Sequence, residues 1–103
     1  MKTQRANAKA ATTERELYRA VMTLSSCDEL RAFFRDLCTP AEVQALADRW
    51  GVVKLLQRDL SYREIHARTG VSLTTIGRVA RSFTSGEGGY ATAATRLEEA
   101  RHG

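Results

Sequence analysis

The sequence predicts an all-α fold, and three observations carry that prediction. Large apolar residues return every three or four positions in one segment after another, the period of a helix face. A hydroxyl residue stands three places ahead of a glutamate at Thr13/Glu16, Ser26/Glu29, Thr39/Glu42 and Ser61/Glu64, which is the spacing of a capping box. The single proline, Pro40, falls where it opens a helix rather than breaks one.

The elements follow in chain order. Residues 1–13, MKTQRANAKAATT, offer little large apolar surface and are expected to form a flexible basic arm. Thr13 and Glu16 then open a predicted helix with Leu17, Val21 and Leu24 on one face. Ser26 and Glu29 open a second, carrying Leu30, Phe33, Phe34 and Leu37. A third starts at Thr39, with proline at its first position and Glu42 at its third. Its apolar face is Val43, Leu46, Ala47, Trp50 and Val53, followed by Leu55 and Leu56, to about Arg58. Each such cap contributes about 1 kcal/mol, which is why these starts are better marked than propensity alone would mark them.

Ser61 to Phe83, SYREIHARTGVSLTTIGRVARSF, has the shape of a helix-turn-helix. Ser61 and Glu64 cap a short helix whose one large aliphatic, Ile65, is expected inside. Gly70 supplies the sharp turn because glycine takes the left-handed conformation without a Cβ penalty. Val71 is expected to plug the angle between the helices, and Ser72 to cap the second one. Leu73, Ile76, Val79 and Phe83 then form an apolar stripe, while Thr74, Gly77, Arg78 and Arg81 form the opposite one. Arginine and hydroxyl side chains suit phosphates and base edges, since arginine bonds guanine O6 and N7 in bidentate fashion. After Phe83 the glycine-rich TSGEGGY is expected to be a loop, and the final stretch either a weak terminal helix around Leu97 or frayed chain. The organisation is thus an arm (1–13), a helical domain (14–84, with the motif at 61–83) and a tail (85–103).

Charge and composition narrow the function. The 103 residues carry a net charge of +4, unevenly placed. Lys2, Arg5 and Lys9 give the arm +3 without an acid, and four arginines against Glu64 give the motif +3, leaving −2 elsewhere. A basic tail and a basic reading head suit a polyanion. No apolar run approaches the roughly 18 residues of a membrane span, and no signal-like segment follows Met1, so a cytoplasmic protein is expected. Cys27 and Cys38 lack metal-ligand spacing and are expected to be reduced thiols, with no metal site. No phosphate loop, ligand cluster or spaced nucleophile and base pair is present, so an enzyme is the poorest reading. The best reading is a sequence-specific reader of double-stranded DNA. A helical protein-interaction module and a charge-only architectural DNA binder stay open as alternatives. The amount of apolar surface on the first two helices, for so short a chain, predicts a homodimer.

Three stretches carry a family resemblance: FFRDLCTPAEVQALADRW (Phe33 to Trp50), SYREIHARTGVSLTTIGRV (Ser61 to Val79) and GEGGY (Gly86 to Tyr90). With their spacing they make the chain resemble the tryptophan-repressor superfamily, in its YerC/YecD-type branch, over roughly residues 14–90. The resemblance implies a TrpR-like helical bundle, an intertwined homodimer and a transcriptional regulator, expected to be a repressor at a palindromic operator. It implies DNA contacts at Arg63, Ser72, Leu73, Thr74 and Gly77. With Thr75 and the outer arginines, the candidate DNA-binding set is Arg63, Ser72, Leu73, Thr74, Thr75, Gly77, Arg78 and Arg81. Relatives usually place a small hydroxyl residue where Gly77 stands. The resemblance also implies a candidate effector pocket at Thr39, Arg49, Arg78 and Ser82. No cofactor is expected. A small-molecule corepressor is left open, with tryptophan disfavoured because Val79 stands where the repressor has a glycine that makes room for the indole.

Overall fold

The computed structural model describes residues 2–102, with side chains described from Ala6 onward, so the side chains of Lys2 and Arg5 in the expected arm lie outside the described part. It consists of six helices: α1 (Lys2–Met22), α2 (Cys27–Leu37), α3 (Pro40–Gln57), α4 (Tyr62–Thr69), α5 (Leu73–Ser85) and α6 (Gly89–His102). No strand occurs among the described residues. The chain divides into two compact units, the first reaching Val43 and the second starting at Gln44.

In the first unit the expected arm is instead part of α1, which starts at Lys2. Thr13 is therefore no cap: its hydroxyl donates back to the Lys9 carbonyl at 2.9 Å, as Thr12 does to Ala8 at 3.0 Å. The stretch holds Ala6, Ala8, Ala10 and Ala11 and no glycine or proline, a composition that favours continued helix. A hydroxyl three residues before a glutamate caps only when the chain ahead of it has left helical geometry. The other two starts behave as the spacing predicts. Ser26 accepts from the Glu29 amide at 3.1 Å, while Glu29 reaches one residue further back, to the Ser25 amide at 2.8 Å. Thr39 and Glu42 bond reciprocally, at 2.8 and 3.2 Å.

No residue of α1 or α2 with a described side chain is buried. Leu17, Val21, Leu24, Leu30, Phe33 and Phe34 are half-buried, and Tyr18, Met22 and Leu37 are exposed. Phe33 and Phe34 meet edge to face at 5.8 Å.

The second unit holds the core. Val52 and Val53 from α3, Ile65 from α4, and Ile76 and Val79 from α5 are buried together. Trp50, Leu55, Leu56, Leu60, Val71, Phe83 and Tyr90 pack around them. Val71 thus plugs the inter-helix angle as expected. Burying a side chain of this size stabilises by about 1.5–3 kcal/mol. Leu73 departs from the expected inward stripe and is 50% exposed. As the first residue of α5 it precedes the turn that packs, so its side chain overhangs the helix start.

The end of α3 carries a device the sequence does not announce. Asp59 adopts a left-handed φ of 59°. The Leu60 amide returns to the Leu55 carbonyl at 3.4 Å and the Asp59 amide to Leu56 at 3.0 Å, the two bonds of a Schellman motif. Leu60 is thereby turned onto the core. The tail, left open between helix and frayed chain, is helical as α6, because Ala94 is buried and Tyr90 packs on the core.

Candidate nucleic-acid interface

The helix α4, the turn and α5 are built by short-range bonds. Ser61 accepts from the Glu64 amide at 3.2 Å, and the Glu64 carboxylate accepts from the Ser61 amide at 3.4 Å, closing a capping box. Gly70 ends α4 with φ 75°, its amide on the His66 carbonyl at 2.8 Å. Thr69 donates to the Ile65 carbonyl at 2.7 Å and accepts from the Val71 amide at 3.0 Å. His66 Nδ1 lies 2.7 Å from the Val71 carbonyl. A carbonyl only accepts, so Nδ1 carries the proton there. Ser72 caps α5, accepting from the Thr75 amide at 3.1 Å and donating to the Thr75 hydroxyl at 3.0 Å.

This frame decides which side of α5 faces out. Ile76 and Val79 are buried at 0% and 3% exposure, so the helix is anchored along one edge. Thr74, Arg78 and Arg81 are set by the sequence on the other edge; Thr74 and Arg81 are exposed there, Thr75 and Gly77 flank them, and Arg63 is exposed on α4. Among the described residues the only charged pair within contact distance is His102 with Glu98, at the far end of α6. The guanidinium groups of Arg63, Arg78 and Arg81 are thus not neutralised by a carboxylate within the described chain. The first turn of α5 carries no acidic residue. The positive end of its dipole and its orphan amides are left without a side-chain carboxylate, a setting that favours an anion. Ser72 and Thr75 spend hydroxyl capacity on each other. Either can still accept one further bond.

The candidate effector residues are brought together in part. Arg49, Arg78 and Ser82 line one open-sided cavity of about 250 Å³, together with Thr75, Val79 and Tyr90. Thr39 is not among the lining residues. It belongs to the first unit, where it caps α3. Neither Arg49 nor Arg78 is ion-paired among the described residues, and two acids close to Arg49 in sequence, Asp48 and Glu42, are engaged elsewhere. Asp48 accepts from Gln44 at 2.8 Å, and Glu42 serves the Thr39 cap. Val79, buried, forms a wall of the cavity. Tyr90, whose ring lies 6.3 Å from that of Trp50, was missed by sequence reasoning. Its only signal is a large aromatic directly after a glycine-rich loop.

These features define a helix-turn-helix protein with a cationic outer face. The sequence matches the Trp repressor protein family over residues 13–98, and the chain belongs to that family. It is 37% identical over 84 residues to the uncharacterized protein YerC of Bacillus subtilis (strain 168), spanning 82% of this chain and 81% of that one. Its fold is similar to the crystal structure of a TrpR-like protein from Eubacterium eligens ATCC 27750. There the TM-score is 0.81 at 37% identity, covering 84% of this chain and 90% of the other. A second solved structure, from Staphylococcus aureus, gives a TM-score of 0.80 at 36% identity, with 84% and 87% covered. No helix among the described residues is long and apolar enough to cross a membrane.

Proposed function

We propose that this protein is a sequence-specific double-stranded DNA-binding transcriptional regulator, a homodimeric repressor that sets α5 of each subunit in a major groove. The observation that carries the reading is the division of α5. Ile76 and Val79 fix it to the core, while Thr74 and Arg81 stand in solvent and neither Arg78 nor Arg81 has a counter-charge among the described residues. In this reading Ser72, Leu73, Thr74, Thr75 and Gly77 form the approach to the bases, and Arg63 reaches across from α4. The absence of any buried residue among the described side chains of α1 and α2 supports a second copy as their cover. Two such heads sit about 34 Å apart when half-sites are one turn of B-DNA apart.

In-vitro selection from a randomised duplex library tests this reading. A palindromic consensus bound about 10³-fold or more above scrambled duplex supports it. Binding that follows salt but not sequence identifies a charge-only architectural protein instead. Removing Lys2, Arg5 and Lys9 is expected to weaken all duplexes alike and reduce the salt slope.

The cavity beside α5 favours a second reading, in which a small anionic effector sits between Arg49 and Arg78 and meets the hydroxyls of Thr75 and Ser82. Thr75 and Arg78 belong to both the cavity and the DNA-facing set, so such a ligand would act directly on the reading helix. Calorimetry with tryptophan and related indole acids tests it. Heat release at micromolar affinity supports the effector, and none at millimolar ligand excludes indole acids from the cavity.

A further inference from the structure

Gly77 is a glycine that the fold does not use. A glycine inside a helix lowers its stability relative to alanine, and two intramolecular reasons commonly keep one there. One is a positive φ, which among the described glycines belongs to Gly70 and Gly88 and not to Gly77. The other is close packing. A Cβ built at Gly77 meets nothing nearer than Arg81 Nη1 at 3.6 Å, the movable end of an exposed side chain. Neither reason applies. Gly51 in α3 is equally open but has no arginine or hydroxyl residue one four-residue turn away on either side. Gly77 is flanked differently. Thr74 precedes it by about one turn and Arg81 follows by one, each exposed on the stripe opposite Ile76 and Val79.

We infer that Gly77 is the point where α5 comes closest to its duplex, with the edge of a base pair resting on the bare Cα. The inference builds on the DNA-reading function proposed above. Arg81 Nη1 lies 3.6 Å from where a Cβ of Gly77 would stand, so once that long side chain turns toward a duplex the bare Cα is recessed by only the missing methyl group. That shape suits a flat edge and excludes a protruding side chain. Thr74 and Arg81 can then bond on either side of the contact, so Gly77 sets how near both come to the bases. A methyl group at this position would hold the helix away by on the order of 1.5 Å, beyond the reach of a good hydrogen bond.

The test compares the full-length parent with Gly77→Ala on two synthetic duplexes: the consensus enriched by the parent from a randomised library, and its scrambled counterpart. Gly77→Ala is expected to melt about 4–8 °C higher. On the consensus it should bind at least about fivefold more weakly, with affinity for the scrambled duplex unchanged. Unchanged affinity for the consensus overturns the inference while leaving DNA reading intact. A loss shared equally by both duplexes overturns it as well, since the contact would then be to the phosphates. A variant that melts lower than the parent shows that the fold needs the space, and that result overturns it too. If the parent enriches no sequence, the DNA-reading proposal falls and takes this inference with it.

Discussion

Arg63 on α4 and Thr74 on α5 are exposed, make no ion pair among the described residues and lie outside the core, so each can be altered without touching what holds the fold. Arg63→Ala and Thr74→Ala should each lower selectivity at one base pair of the bound sequence by about 1–3 kcal/mol, read by competition between single-base variants. Melting temperature should stay near that of the parent. An Arg63→Ala protein that selects as sharply as the parent removes Arg63 from the reading set. Asp59 offers the opposite kind of test, since it bears on the fold alone. Its left-handed φ of 59° is strained for a residue with a Cβ, and glycine relieves that strain against some loss of chain entropy. Asp59→Gly should therefore gain about 0.5–1 kcal/mol, measured by thermal or urea unfolding.

The helix starts were legible in the sequence wherever a hydroxyl residue and a glutamate met a chain not already helical. Ser26, Thr39 and Ser61 all cap in this way, Ser72 caps with Thr75 in the glutamate's place, and Gly70 turns the chain left-handed. The same spacing misled at Thr13, because nothing in a capping pattern reports an alanine-rich helix running in from upstream. The Asp59 turn stayed hidden for a related reason: aspartate is an uncommon left-handed residue, and the bonds that define the motif involve only backbone. The outward stripe of α5 was readable from its period, but the cavity beside it was not. That cavity needs Tyr90, which folding brings to Arg49 across a long stretch of sequence. The caps also have a pH consequence. The Glu29 carboxylate lies below its ordinary range, chiefly because it accepts from the Ser25 amide, and Glu42 likewise through the Thr39 amide. A carboxylate depressed in the folded state stabilises above its unfolded value and loses that effect as pH falls through the folded one. Helical content is therefore expected to decline as pH drops below about 4.3. Glu29→Gln and Glu42→Gln should flatten that decline in circular dichroism.

Burial across the molecule is one-sided, for every buried residue among those described lies in the second unit. Half-covered Phe33 and Phe34 and exposed Met22 and Leu37 leave the first unit short of a core of its own. A homodimer should supply it. Stability then rises with subunit concentration, so the melting temperature is expected to climb between micromolar and tenfold higher protein. A concentration-independent midpoint, with monomer in the ultracentrifuge, would rule the dimer out. The α4 to α5 turn behaves differently, because the bonds from Thr69, His66, Gly70 and Ser72 join groups no more than five residues apart. Closing such short loops costs little chain entropy, so this hairpin of helices should assemble early, ahead of subunit pairing. Gly70→Ala should accordingly slow refolding more than it hastens unfolding, a kinetic imprint of a turn knitted from neighbours.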